Sequence, residues 1–254
     1  MNYPLGHEKL LTYQKALQFV IGATGILARI PTHEAVHDQF DRATESMVMN
    51  LVIGNSTWFV AERIKYFDYS LGSSLESASC LDVCHVRSFI DVSEADDGKD
   101  SLEEIVRMLH GLRESKPSTL REHHEEYTAT PPPGPSRIRF AHESLDVYKV
   151  SLELVKWMHE LVQSDTVPRK FAKKMDAYTT SVPLNIAEGN GRFSSQDRRK
   201  FLEIALTSVL KSAATADLAT ARGHMDRTAA EEGKALMRRI VSMLTRMQSG
   251  YDNP

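Results

Sequence analysis

Apolar residues fall at three- and four-residue steps through most of the chain. In the second half, Leu145, Tyr148, Leu152, Val155 and Val162 line one face of an amphipathic helix. A second helix starts near Pro168 and runs toward Pro183 and Gly189, the internal proline being expected to bend it or delay its hydrogen bonding. A third starts near Ser194, carries Phe201, Ile204, Ala205, Val209 and Leu210, and ends near Gly223. A fourth carries Leu236, Ile240, Met243, Leu244 and Met247. In the first half, Leu102, Ile105, Val106, Leu109 and Leu112 mark a matching last helix. Almost no segment alternates with a period of two, so the chain reads as all-α. Helices of this kind, joined by short turns, bury their stripes best as four-helix bundles.

The two halves are copies. His7-Glu8-x-Leu10-x-x-Tyr13 recurs as His142-Glu143-x-Leu145-x-x-Tyr148, an offset of 135 residues. The same offset pairs Leu17 with Leu152, Val20 with Val155, Asp41 with Asp176, Asn50 with Asn185, Gly54 with Gly189 and Asp82 with Asp217. It holds without a gap to Gly98 and Gly233, and to Ile105 and Ile240. Between the copies lie Pro117, a charged run from Arg121 to Glu126, and Pro131-Pro132-Pro133-Gly134-Pro135, the composition of an extended linker. The expected domains are 1–115 and 140–250, with the linker at 116–139.

Composition adds exclusions and one asymmetry. Of 254 residues, 41% are hydrophobic and 26% charged, as in ordinary soluble domains. The N-terminus shows no basic region followed by an apolar one, and no run approaches membrane-spanning length. With only Cys80 and Cys84, four residues apart, the pattern is no disulfide framework, and a reducing cytoplasm is the expected location. The net charge of −3 divides into −8 for residues 1–127 and +5 for residues 128–254.

Pro183-x-Asn185-Ile186-Ala187-Glu188-Gly189-x-x-Arg192 ends the second helix of the second copy. This motif resembles the signature of the four-helix-bundle family encoded in 23S rRNA intervening sequences, which includes the accessory variability determinant of diversity-generating retroelements. The first copy has Val48, Asn50, Ile53, Gly54 and Thr57 at those positions, keeping Asn and Gly and losing Pro, Glu and Arg. The kept residues read as those a helix-ending turn needs. Glu188 and Arg192 stand four apart, a spacing at which opposite charges meet. They either lock the turn or present an interface to a partner chain or RNA. The resemblance implies self-association, and a reverse transcriptase as one kind of protein partner for a non-enzymatic adaptor. It also leaves room for the first copy to take a neighbouring bundle's place within one chain.

Three basic clusters lie in the second copy: Arg169, Lys170, Lys173 and Lys174; Arg192, Arg198, Arg199 and Lys200; and Arg238 and Arg239, with Arg246 beyond. Lysines and arginines contact phosphate without reading sequence, so these residues form a candidate nucleic-acid surface. The other class open to the chain is a protein assembly module that binds no nucleic acid. His33-Glu34-x-x-His37 matches a zinc-peptidase pattern, but the second copy has Pro168-Arg169-Lys170-Phe171-Ala172 there and no third ligand stands out. Cys80 and Cys84 read as core thiols, since Thr215 and Ala219 replace them in the second copy. No cofactor, metal or nucleophile–base arrangement is expected. The aromatic run Trp58, Phe59, Tyr66, Phe67 and Tyr69 exceeds what one helix stripe can bury, which points to a protein contact.

Overall fold

The computed structural model describes residues 6–57, 59–115, 139–164 and 167–249. They form eight α-helices and no strand. The first four are α1 (Leu11–Leu27), α2 (Ala35–Ser56), α3 (Val60–Val86) and α4 (Val92–Glu114). The second four are α5 (Asp146–Gln163), α6 (Arg169–Asn190), α7 (Ser195–Ala221) and α8 (Arg227–Ser249). A short 3-10 turn precedes each set, at Gly6–Lys9 and Ala141–Ser144. The chain is two four-helix bundles, with α1 packing on α2 and α4, and α5 on α6 and α8. Among the described residues, no helix is long and apolar enough to cross a membrane. The proline-rich tract at 116–138 lies outside the described residues.

The duplication extends to the hydrogen bonds. Asn50 Nδ2 donates to the Ser46 carbonyl at 2.8 Å, and Ser46 Oγ lies 2.8 Å from Ser73 Oγ. In the second bundle Asn185 donates to the Ser181 carbonyl at 2.7 Å, and Ser208 Oγ reaches Ser181 Oγ at 3.1 Å. Both networks tie the second helix of a bundle to its third. The glycines of the repeat serve the same pair of helices. A Cβ on Gly54 would sit 2.7 Å from the Phe67 ring, and one on Gly189 would sit 2.9 Å from Phe201 Cβ. The asparagine and glycine kept in both copies therefore hold helix against helix, and the expectation that they build the turn is corrected.

α6 runs unbroken through Pro183, which is buried. Ser194 caps α7 by accepting from the Asp197 amide at 3.3 Å. The core side of α7 is Leu202, Ala205, Val209, Ala216 and Ala219. Ile204 and Leu210, placed by the sequence on the same stripe, instead face outward.

The bundles pack against each other, chiefly α3 on α6, with α2 on α6 and α3 on α5. Phe140, Val155 and Leu184 of the second bundle are buried within the hydrophobic cluster of the first.

Candidate functional site

The motif at the end of α6 lies on this junction. Arg192 is buried and salt-bridged to Glu188, as the four-residue spacing predicts. Its Nη1 also donates to the Asp68 carbonyl of the first bundle at 3.2 Å, and its guanidinium lies 5.2 Å from the Tyr69 ring and 4.7 Å from Phe201. A Cβ on Gly72 would meet that guanidinium at 2.9 Å, and one on Gly191 would meet Leu75 Cδ1 at 2.4 Å. Gly191 has φ −80°, so close approach of the first bundle, not a left-handed turn, makes a side chain unwelcome there. Of the aromatic run, Tyr69 makes the contact with the second bundle. Phe67 is core, Phe59 is exposed ahead of α3, and Trp58 lies outside the described residues.

Two further polar clusters pin the junction. Arg87 is almost wholly buried and lies 2.5 Å from both Glu34 and Asp176 carboxylates, with Thr180 Oγ1 at 2.7 Å. Asp176 also accepts the Ala35 amide at 2.8 Å and so caps the first turn of α2 from the other bundle. In the second cluster Lys99 bridges Asp82 at 2.9 Å and Glu143 at 2.7 Å, and Tyr148 Oη donates to Asp82 at 2.7 Å. Burial raises Asp82 above the usual carboxylate range, against the pull of Lys99 and Tyr148. His142, between Phe140 and Tyr148, is driven down to about 3 by burial and by Lys99. In the sequence, His142, Glu143, Asp176 and Asp82 stand out only as marks of duplication, and Tyr148 also as part of an apolar helix face. The signal for their role was there: polar side chains repeated at one offset on otherwise apolar helix faces.

Beside these pins runs a polar cleft lined by Arg42, Ser46, Glu76, Ser181, Asn185 and Glu188. Burial and the neighbouring Glu188 carboxylate push Glu76 up to about 8, with Arg42 and Arg192 pulling the other way.

The basic clusters are not brought together. Arg169, Lys170, Lys173 and Lys174 are exposed on the first turns of α6 and form no ion pair among the described residues. The second cluster sits at the far end of α6, which at 22 residues is about 33 Å away. Arg192 there is buried, paired with Glu188 and packed on the first bundle, so it does not lie on the exposed surface that the sequence assigned to it. Arg198 is half-buried and donates to the Arg192 carbonyl at 2.9 Å; Arg199 pairs with Glu203 at 3.2 Å; Lys200 is exposed. On α8, Arg238 pairs with Glu231 at 3.1 Å and Arg239 with Glu153 at 3.3 Å.

The remaining candidates resolve by position. α2 begins only at Ala35, so His33 precedes it and His37 lies on it; the two histidines do not share a helical face, and Glu34 is spent on Arg87. Among the described residues no three His, Cys, Asp or Glu side chains group as metal ligands. Cys80 and Cys84 are free and buried in the core, and burial pushes the Cys84 thiol up to about 12.

Comparison with known proteins agrees with the double architecture. The family model for the 23S rRNA-intervening sequence protein matches twice, over residues 8–111 and 143–246. No curated protein and no solved structure gives a significant match. Both matches coincide with a complete set of four helices, and the chain belongs to the 23S rRNA-intervening sequence protein family as a tandem pair of its bundles.

Proposed function

We propose that the protein is a non-enzymatic adaptor that binds structured nucleic acid through the start of α6. The carrying observation is the quartet Arg169, Lys170, Lys173 and Lys174. These cations stand where the helix macrodipole is positive, with no acidic residue in the first turn and no side-chain cap. Cations at that end oppose the dipole by roughly 0.3–1 kcal/mol each, a cost that an anionic ligand offsets. Arg222 and His224 extend the patch, since Phe171 lies 5.6 Å from the Arg222 guanidinium and 5.5 Å from the His224 ring. The patch is an array of cations rather than a platform of aromatic rings, so recognition rests on backbone and shape. By family resemblance a reverse transcriptase is one kind of protein this adaptor would serve. The alternative, an assembly module that binds no nucleic acid, draws on the exposed apolar residues Leu210 and Leu218 of α7.

Fluorescence anisotropy of the full chain with a structured RNA, across a salt series, tests the reading. Affinity should fall steeply with salt, and Lys170→Glu, Lys173→Glu and Lys174→Glu together should weaken binding by tenfold or more and flatten the salt slope. Equal affinity for wild type and triple variant would remove α6 from the interface.

A further inference from the structure

In the second bundle Trp157 of α5 lies across α8. Its ring reaches to 2.4 Å from where a Cβ on Gly233 would stand, so the glycine admits the indole, and the side chain packs on both hydrophobic clusters of that bundle. The repeat places Gly22 at the position of Trp157 and Gly98 at that of Gly233. The first bundle thus keeps the glycine that admits an indole and lacks the indole.

A groove of about 480 Å³ runs between α1 and α4 at that place. Phe19, Ala23 and Ile26 give it an apolar lining, and Gly22, Gly25 and Gly98 keep it clear. Leu81 of α3, which is Ala216 in the second copy, lies 2.7 Å from where a Cβ on Gly98 would stand and closes the space on the core side. The solvent side stays open, since a Cβ on Gly22 or Gly25 would meet nothing within 4 Å. Glycine inside a helix lowers its stability, and neither a close approach nor a left-handed backbone requires one at these two positions. Packing of the bundle therefore does not account for them.

Charge frames the groove. Lys15 bridges to Glu104 at 3.0 Å and Arg29 to Glu94 at 2.6 Å, joining α1 to α4 at the two ends. Between them Asp97 is exposed on the rim and makes no ion pair among the described residues. Residues 91–104 hold seven acidic side chains and one lysine, whereas the equivalent residues 226–239 hold three acidic and four basic ones. The acidic character accompanies the open groove and not the filled one, which favours a cationic occupant. From Glu94 to Glu104 the frame is about 15 Å long at the helical rise. That exceeds one indole and leaves room for a residue on either side of it, as in a peptide segment.

We propose that the α1–α4 groove docks a tryptophan side chain carried on a basic segment of a partner protein. The indole lies over Gly22 and Gly98 as Trp157 lies over Gly233, and the flanking cations meet Asp97 and the other acids of α4. The site belongs wholly to the first bundle and is independent of nucleic-acid binding.

Titration of the isotope-labelled full chain with the end-blocked tripeptide Lys-Trp-Lys, followed by NMR, tests it. The amides of Gly22, Gly25 and Gly98 should shift and saturate. Lys-Ala-Lys should leave them in place, and Glu-Trp-Glu should bind at least fivefold more weakly. Gly22→Trp with Leu81→Ala reproduces the arrangement of the second copy; it should weaken peptide binding by tenfold or more. Asp97→Lys, a change at an exposed position, should weaken Lys-Trp-Lys at least threefold and leave the uncharged Ala-Trp-Ala unaffected. Shifts that Lys-Ala-Lys reproduces, shifts confined to other helices, or an affinity untouched by Asp97→Lys would overturn the proposal. Free indole binding as tightly as Lys-Trp-Lys would overturn the assignment to a basic protein segment. None of these substitutions touches α6, so RNA binding and peptide docking fail separately.

Discussion

Arg87 and Arg222 occupy the same position of the repeat and live in opposite worlds. Arg87 is walled in by the second bundle and neutralises Glu34 and Asp176; Arg222 is exposed and rests near a phenylalanine ring. Glu34 itself has become Arg169 in the second copy. The comparison teaches that a residue retained between copies need not keep its energetic weight. Which copy covers which face sets that weight.

Three measurements bear on this contrast. The largest effect is expected from Arg87→Ala, which leaves two carboxylates facing each other without a cation. Removing one partner of a buried ion cluster costs about 3–5 kcal/mol, whereas Arg222→Ala at the exposed equivalent should stay within about 0.5 kcal/mol. Urea denaturation of both variants would decide, and equal losses would mean that the junction contributes nothing.

The next effect concerns the cleft. Glu76 is raised from its ordinary value to about 8, so the folded protein holds a proton that the unfolded chain releases near 4.5. Between those values the native state binds more protons, and stability from this group falls as pH rises. Glu76→Gln should therefore flatten the decline in Tm from mildly acidic to mildly alkaline pH and raise Tm most at the alkaline end. Its repeat partner Lys211 is exposed, with its amine 5.7 Å from the Tyr178 ring, so the buried carboxyl belongs to the first copy alone.

The smallest effect is a backbone one. Ser88 and Gly223 follow α3 and α7 with φ of 59° and 69°, each closing its helix with the same left-handed residue. Only glycine adopts that conformation without penalty, so Ser88→Gly should stabilise and Gly223→Ser destabilise by about 1 kcal/mol each. Opposite signs in thermal melts would confirm that the two helix ends are equivalent; matching signs would break the comparison.

Much of the fold was legible because helical periodicity and an ungapped internal offset are properties of the chain alone. The four helices of each copy, the glutamate–arginine pairing at 188 and 192, and the buried cysteines all follow from spacing and side-chain type. The meaning of the kept Asn and Gly did not, since a glycine needed for helix–helix approach and one needed for a turn look alike in sequence. Nor did the outward orientation of Ile204 and Leu210, because an apolar residue at helical spacing does not announce whether a core or another bundle covers it. The basic residues split the same way: Arg192 and Lys200 belong to one sequence cluster, and only packing separates the buried one from the exposed one.

The sequence by itself determined that there are two all-helical bundles, that they are copies, and that their charges differ in sign. Local propensity and burial period suffice for that, since each helix carries its own instruction. The tertiary structure alone decided that the copies join chiefly through unlike helices. That choice depends on long-range packing of α3 against α6, and it makes equivalent repeat positions buried in one copy and exposed in the other.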